Sequence, residues 1–155
     1  MKPVVFLLLA AFFSPLRSWS QDLNPNYDAA LAASVGADDY GMKNYVLVIL
    51  KTGPKDSVIT DKAHRSELFR GHMDNIKKLA DENKLVVAGP FGRNDHTFRG
   101  LFIFNVSTVE EARQLCNTDP AVSAGIFTVE LVPWYGSAAL GEYLPASKKV
   151  AKYRF

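Results

Sequence analysis

The chain has 155 residues, with 18 lysines and arginines against 16 aspartates and glutamates, and a single cysteine, Cys116. That near-neutral balance gives no electrostatic reason to expect nucleic acid or an anionic membrane as partner. One cysteine cannot close an internal disulfide, so the fold has to be held by its apolar core alone.

Residues 1–20, MKPVVFLLLAAFFSPLRSWS, combine a basic start, an apolar run from Val4 to Phe13 and small residues at Ser18 and Ser20. This is the pattern of a secretory signal peptide, and the run is shorter than the ~20 apolar residues of a membrane span. Export to the periplasm or outside the cell is therefore expected, with no stable membrane insertion after cleavage. Lys2 and Arg17 lie in that segment, so its removal leaves sixteen basic and sixteen acidic residues. Residues 21–43 mix small, polar and acidic side chains, and read as a loosely packed leader in which DAALAAS forms a weak helical turn. The ~135 residues that remain suit one domain.

NYVLVILKT (44–52) is β-branched and bounded by GPKDS, which predicts a central strand and a loop. Asp61 or Ser66 can cap the following helix, where Phe69, Met73, Ile76 and Ala80 recur at helical spacing, widened by Leu68 and Leu79. KLVVAGPF (84–91) predicts a second strand ending in a turn. FRGLFIFNV (98–106) predicts a third, with Phe98, Phe102, Phe104 and Val106 on one face. In residues 107–120 a Ser107/Thr108 cap precedes Glu110 and Glu111, Ala112, Leu115 and Cys116 face inward, and Pro120 marks the end. GIFTVELVPWY (125–135) predicts the last strand, and residues 137–155 form a tail.

The order β-α-β-β-α-β makes a ferredoxin-like split βαβ of the α+β class, an antiparallel sheet with both helices on one face. The other sheet face is then bare yet apolar, and homodimerisation by stacking two sheets is the simplest way to cover it.

His72 lies four residues from both Leu68 and Ile76, on the flank of the apolar stripe. Asp119 ends the second helical segment on the same side of the sheet. A carboxylate beside an imidazole fixes its tautomer and makes a usable acid or base. The plainer alternative is a packing histidine and an aspartate that serves its Asp-Pro turn. In AGPFGRND, Gly89 and Gly92 allow backbone conformations closed to other residues and Pro90 stiffens the turn, so its N–H groups could meet an anionic or phenolate oxygen. Arg93 and Arg99 are candidate anion contacts. His64 and His72 are two helical turns, or about 12 Å, apart, too far to share one metal ion. Cys116 reads as core rather than nucleophile. Trp134 and Tyr135 suit a pocket wall or a dimer seam.

His72, then Ala88-Gly89-Pro90, then Asp119-Pro120 with Ala124-Gly125 before the last strand resembles the pattern of the YCII-related (YciI-like) family, over about Tyr45 to Tyr135. The resemblance implies a dimeric ferredoxin-like domain, residues 44–136, with a His–Asp pair in a pocket. At least one relative is a lyase-type enzyme that removes chloride from a hydroxylated aromatic ring. That pair falls on His72 and Asp119 here, as the catalytic candidates; the residues themselves offer Gly89, Pro90, Phe91 and Arg99 as substrate contacts, with no metal and no cofactor motif. The lack of a cofactor motif restricts an enzyme reading to cofactor-free proton-transfer or lyase chemistry on a small organic compound, aromatic ones included. The alternative is a non-catalytic module that binds a small ligand or builds a dimer.

Overall fold

The computed structural model describes residues 23–152. The expected signal peptide, residues 1–20, lies outside them. Four strands, β1 (Met42–Thr52), β2 (Leu85–Pro90), β3 (Phe98–Phe104) and β4 (Phe127–Ser137), form one antiparallel open sheet in the order β2-β3-β1-β4. Between them run α2 (Lys62–Asp81), α3 (Val109–Asn117) and the short α4 (Pro120–Ser123). This is the expected α+β architecture. The second helix is divided, because Thr118 closes α3 and Asp119-Pro120 opens α4 at once. Pro120 has no N–H to offer a continuing helix, but suits the first position of a new one.

Strand alternation sorts the sheet into two faces. Val46, Val48, Leu50, Phe102 and Phe104 are buried beneath Leu79 of α2, Ala112 and Cys116 of α3 and Ala121 of α4. Asp61 caps α2 as expected, its carboxylate accepting from His64 N at 2.7 Å. Tyr45, Leu47, Ile49, Leu101 and Ile103 point the other way, as the β1–β3 register requires.

Two expectations change. Phe98 does not share the face of Phe102 and Phe104. The β1–β3 register slips between Leu50 and Lys51, so Leu50 pairs with Gly100 and Lys51 with Phe98, leaving Arg99 as an extra residue. This β-bulge reverses the alternation, and Phe98 packs beside Phe91, His96 and the Lys51 ammonium. The leader and tail, in turn, hold more structure than their composition suggests. Leader residues form α1 (Ala29–Val35), capped by Asp28 and closed by Gly36, and the tail forms a 3-10 helix (Ala138–Glu142) and α5 (Tyr143–Val150). α1 meets the 3-10 helix. Leu140 packs with Trp134 on Tyr45, Val86 and Ile103, so the tail covers one end of the second sheet face. Tyr45, at 1% exposure, is fully enclosed there, and its hydroxyl donates to Ser137 O at 3.0 Å. Among the described residues no helix is long and apolar enough to cross a membrane.

Candidate functional site

His72 sits on the face of α2 that turns toward the sheet. It is only 9% exposed, more deeply set than its position at the flank of the stripe suggests. Its ring stacks on Phe102 with centroids 6.0 Å apart, and meets the edges of Phe127 at 5.3 Å and Phe69 at 6.4 Å. Asp119 is 1% exposed. A lone carboxylate that deeply placed would be costly, and both of its oxygens are engaged. Oδ1 accepts from Ala121 N at 2.9 Å and Val122 N at 3.4 Å, capping α4. Oδ2 lies 2.5 Å from His72 Nδ1. The carboxylate thus serves the Asp-Pro turn with one oxygen and the imidazole with the other.

Two features of the backbone bring the pair together. Gly71 lets α4 approach α2: a Cβ there would stand 2.8 Å from Pro120 Cγ. Gly125, after α4, holds φ at 80°, in the left-handed region that favours glycine, and so turns the chain into β4.

The tautomer follows from the geometry. A carboxylate that already accepts two backbone N–H groups is an acceptor for Nδ1–H as well, which leaves Nε2 as the unprotonated nitrogen of the neutral ring. Nε2 has no hydrogen-bond partner in the protein, while among the described residues no buried side-chain nitrogen or oxygen lacks one. Nε2 therefore reaches the surface. A ring fixed through one nitrogen and open at the other is the arrangement a general base requires.

The remaining sequence candidates separate. Gly89 and Gly92 do not use the freedom expected of them. Neither has positive φ, and a Cβ on either would meet nothing within 4 Å. β2 runs straight through Gly89 and Pro90 at the sheet edge, and Phe91 N donates to Arg99 O at 3.0 Å, so that N–H is already spent on the sheet. The turn beyond is held by Asn94, whose Oδ1 accepts from His96 N and Phe98 N, and by Thr97 at φ 62°. Phe91 lies against Phe98. Arg93 is exposed. Arg99 alone of this group turns toward the histidine's surroundings, its Cζ 5.5 Å from the Phe127 ring.

Cys116 is buried in the core, where burial and then the charge of Asp119 push its thiol up to about 12, against a smaller pull downward from Arg113. It is no nucleophile at neutral pH. Trp134 carries the tail's Leu140, and Tyr135 donates its hydroxyl to Asp38 of the leader, so both residues anchor the chain's extensions. Among the described residues, no group of three His, Cys, Asp or Glu side chains is placed to hold a metal ion.

Fold and dyad define a class: an open-faced α+β domain whose helical layer presents an inward His–Asp pair. The chain belongs to the YCII-related domain family, whose model matches residues 45–135. No curated protein matches it. Among solved structures it is similar to 5-chloro-2-hydroxyhydroquinone dehydrochlorinase from Burkholderia phenoliruptrix AC1100, in complex with 2,5-dihydroxybenzoquinone. The two chains are 21% identical, with 58% of this chain and 92% of that chain covered and a TM-score of 0.42.

Proposed function

We propose that this protein is a small exported enzyme that carries out cofactor-independent acid/base chemistry, of the proton-transfer or lyase type, on a small organic compound. The observation that carries the reading is the open Nε2 of a histidine whose Nδ1 is held at 2.5 Å by a buried carboxylate. Nε2 takes a proton from an acidic O–H or C–H of the substrate. The imidazolium that forms is stabilised by Asp119 and returns the proton to product or leaving group. Positioned acid/base catalysis of this kind is worth roughly 10²–10⁴-fold.

The family membership supports a compact domain of this type, and the phenyl rings of Phe69, Phe102 and Phe127 around the imidazole suit an aromatic substrate. That aromatic cage equally suits a packing histidine in a non-catalytic binding or assembly module, and the open Nε2 favours the enzyme. A homodimer through the second sheet face belongs to the same proposal. Leu47, Ile49 and Leu101 are half-buried there and Val132 is 40% exposed, beyond the part the tail covers. Export rests on residues 1–20 alone.

The test is a turnover screen with small phenols and aromatic hydroxy acids. Activity in the wild type that vanishes in His72→Gln supports the reading. Activity that His72→Gln leaves untouched sinks it.

A further inference from the structure

The β-bulge at Arg99 has a consequence for what the site accepts. In an unbroken ladder the residue between Phe98 and Gly100 would face away from the helices. Here Arg99 is the unpaired extra residue, and its guanidinium reaches over Phe127, a member of the helix-side core. Bulges commonly re-aim a side chain beside a functional site.

Arg99 shares Asp56 with a second arginine, and the sharing is unequal. Arg65 is the more engaged: it pairs with Asp56 Oδ1 and donates to Asp56 O at 2.8 Å and Ile59 O at 3.3 Å, which pins the loop after β1. Arg99 makes a single contact with Asp56 Oδ2, at 3.4 Å, and its side chain stays 36% exposed. Arg65 thus spends three of its five N–H donors on this loop, whereas Arg99 spends one. One carboxylate between two guanidinia also leaves the cluster with a net positive charge.

The free guanidinium and the histidine are neighbours through one ring. Arg99 Cζ lies 5.5 Å from the Phe127 centroid, which lies 5.3 Å from that of His72, so the two groups can be no farther apart than those steps together. A single six-membered ring with an acidic group at one end and a hydroxyl at the other spans such a distance.

We infer that Arg99 is the anion-binding residue of the His72 site, and that the substrate class is a small aromatic compound bearing an anionic oxygen group, best a carboxylate held by the guanidinium fork. The inference rests on the proposed role of His72. Planar, bidentate recognition is what arginine supplies and lysine does not. Asp56 then acts as the resident carboxylate that keeps Arg99 in place until a ligand's anion takes up its free donors.

The experiment compares two probes of the same shape, 4-hydroxybenzoate and 4-hydroxybenzamide, by NMR titration that follows the His72 imidazole signals. The benzoate is expected to bind at least tenfold more tightly than the amide, with both moving those signals. Arg99→Gln should bring benzoate binding down to the level of the amide, and Arg99→Lys should restore only part of the preference. Melting curves confirm that each variant is folded. If both probes move the His72 signals with equal affinity, the anion subsite is wrong and the His72 site stands. An Arg99-dependent preference with silent His72 signals separates the two groups and overturns the inference, as does failure of the benzoate to bind at millimolar concentration.

Discussion

Gly71→Ala tests whether the dyad depends on helix packing. A Cβ at Gly71 would stand 2.8 Å from Pro120 Cγ, 3.4 Å from its Cβ and 3.7 Å from its Cδ. Carbon atoms settle at about 3.5–4.0 Å, so α2 and α4 must part by ~1 Å, and a proline ring has no rotamer with which to yield. Asp119 immediately precedes Pro120 and moves with it. Its 2.5 Å contact with His72 Nδ1 then opens to roughly 3.5 Å, beyond hydrogen-bond range. The stability change is small, because an overpacking cost of about 1–3 kcal/mol is offset by the ~1 kcal/mol that alanine gains over glycine inside a helix. Function should suffer more, by about 10²-fold for a misplacement of that size. The assay is the nitrogen-resolved spectrum of the His72 imidazole, in which the Nδ1–H form should give way to a mixture of tautomers. Pro120→Ala removes Cγ and should return the wild-type spectrum in the double variant. A Gly71→Ala protein that melts within a few degrees of wild type and keeps an unmixed Nδ1–H tautomer would refute the reasoning.

His72→Ala should cost about 2–4 kcal/mol by denaturant titration, since it empties a site walled by three phenyl rings and strands a buried carboxylate. Stability loss in that variant therefore does not separate a working histidine from a packing one. Asp119→Asn does: its amide can offer N–H to Nδ1, which moves the ring proton to Nε2 and should lower turnover by roughly 10³–10⁴-fold in a general-base mechanism. An Asp119→Asn enzyme of undiminished rate would remove Asp119 from the mechanism. Tyr135→Phe should weaken the leader's attachment with a defined pH dependence. The Tyr135 hydroxyl and then the Met42 N–H hold Asp38 below its ordinary 3.8, and the bond to Asp38 holds Tyr135 above its ordinary 10.0. A depressed acid stabilises above its unfolded value and loses that as pH falls, and a raised phenol stabilises below its unfolded value and loses that as pH rises. The stability difference between wild type and Tyr135→Phe should thus be flat from about pH 4 to 10 and shrink at both ends. A constant difference across all three ranges would contradict the pairing.

Much of this was legible from residue patterns because the responsible physics is local. The continuous apolar run in NYVLVILKT marks a strand covered on both faces, and the helical stripe of Leu68, Phe69, Ile76 and Leu79 is set by burial on one face. The core holds Val46, Val48 and Leu50 with that stripe, while Met73, expected in it, stays 43% exposed. The Asp61 and Thr108 caps are properties of a few consecutive residues. Asp119 was readable as a turn residue and as a histidine partner, but not as both, since only the folded positions of α2 and α4 show that its two oxygens point to different tasks. AGPFG misled for the opposite reason. Glycine permits unusual backbone angles without requiring them, and β2 simply continues through Gly89. The bulge at Arg99 has no sequence signature, because it arises from the register between β1 and β3 and not from either strand alone. The leader and tail carry too few large apolar side chains to announce a core, and they order by resting on one the sheet already provides.

The extensions restrict how two copies could meet. The family match ends at Tyr135, yet Trp134 and Tyr135 are where the extensions attach: Leu140 closes over Trp134 and Tyr45, and Asp38 takes the Tyr135 hydroxyl. In a bare domain the whole second face of the sheet would be free to stack. Here the end bearing Tyr45, Val86 and Ile103 is already buried by the chain's own tail, and the apolar area left over is the strip around Leu47, Ile49, Leu101 and Val132. Burial of apolar area drives association, so the homodimer proposed above would centre on that strip, with the two tails outside it. His72 and Asp119 lie on the opposite side of the sheet. A dimer so built would leave both dyads facing away from the interface, each supplied with its own Arg99.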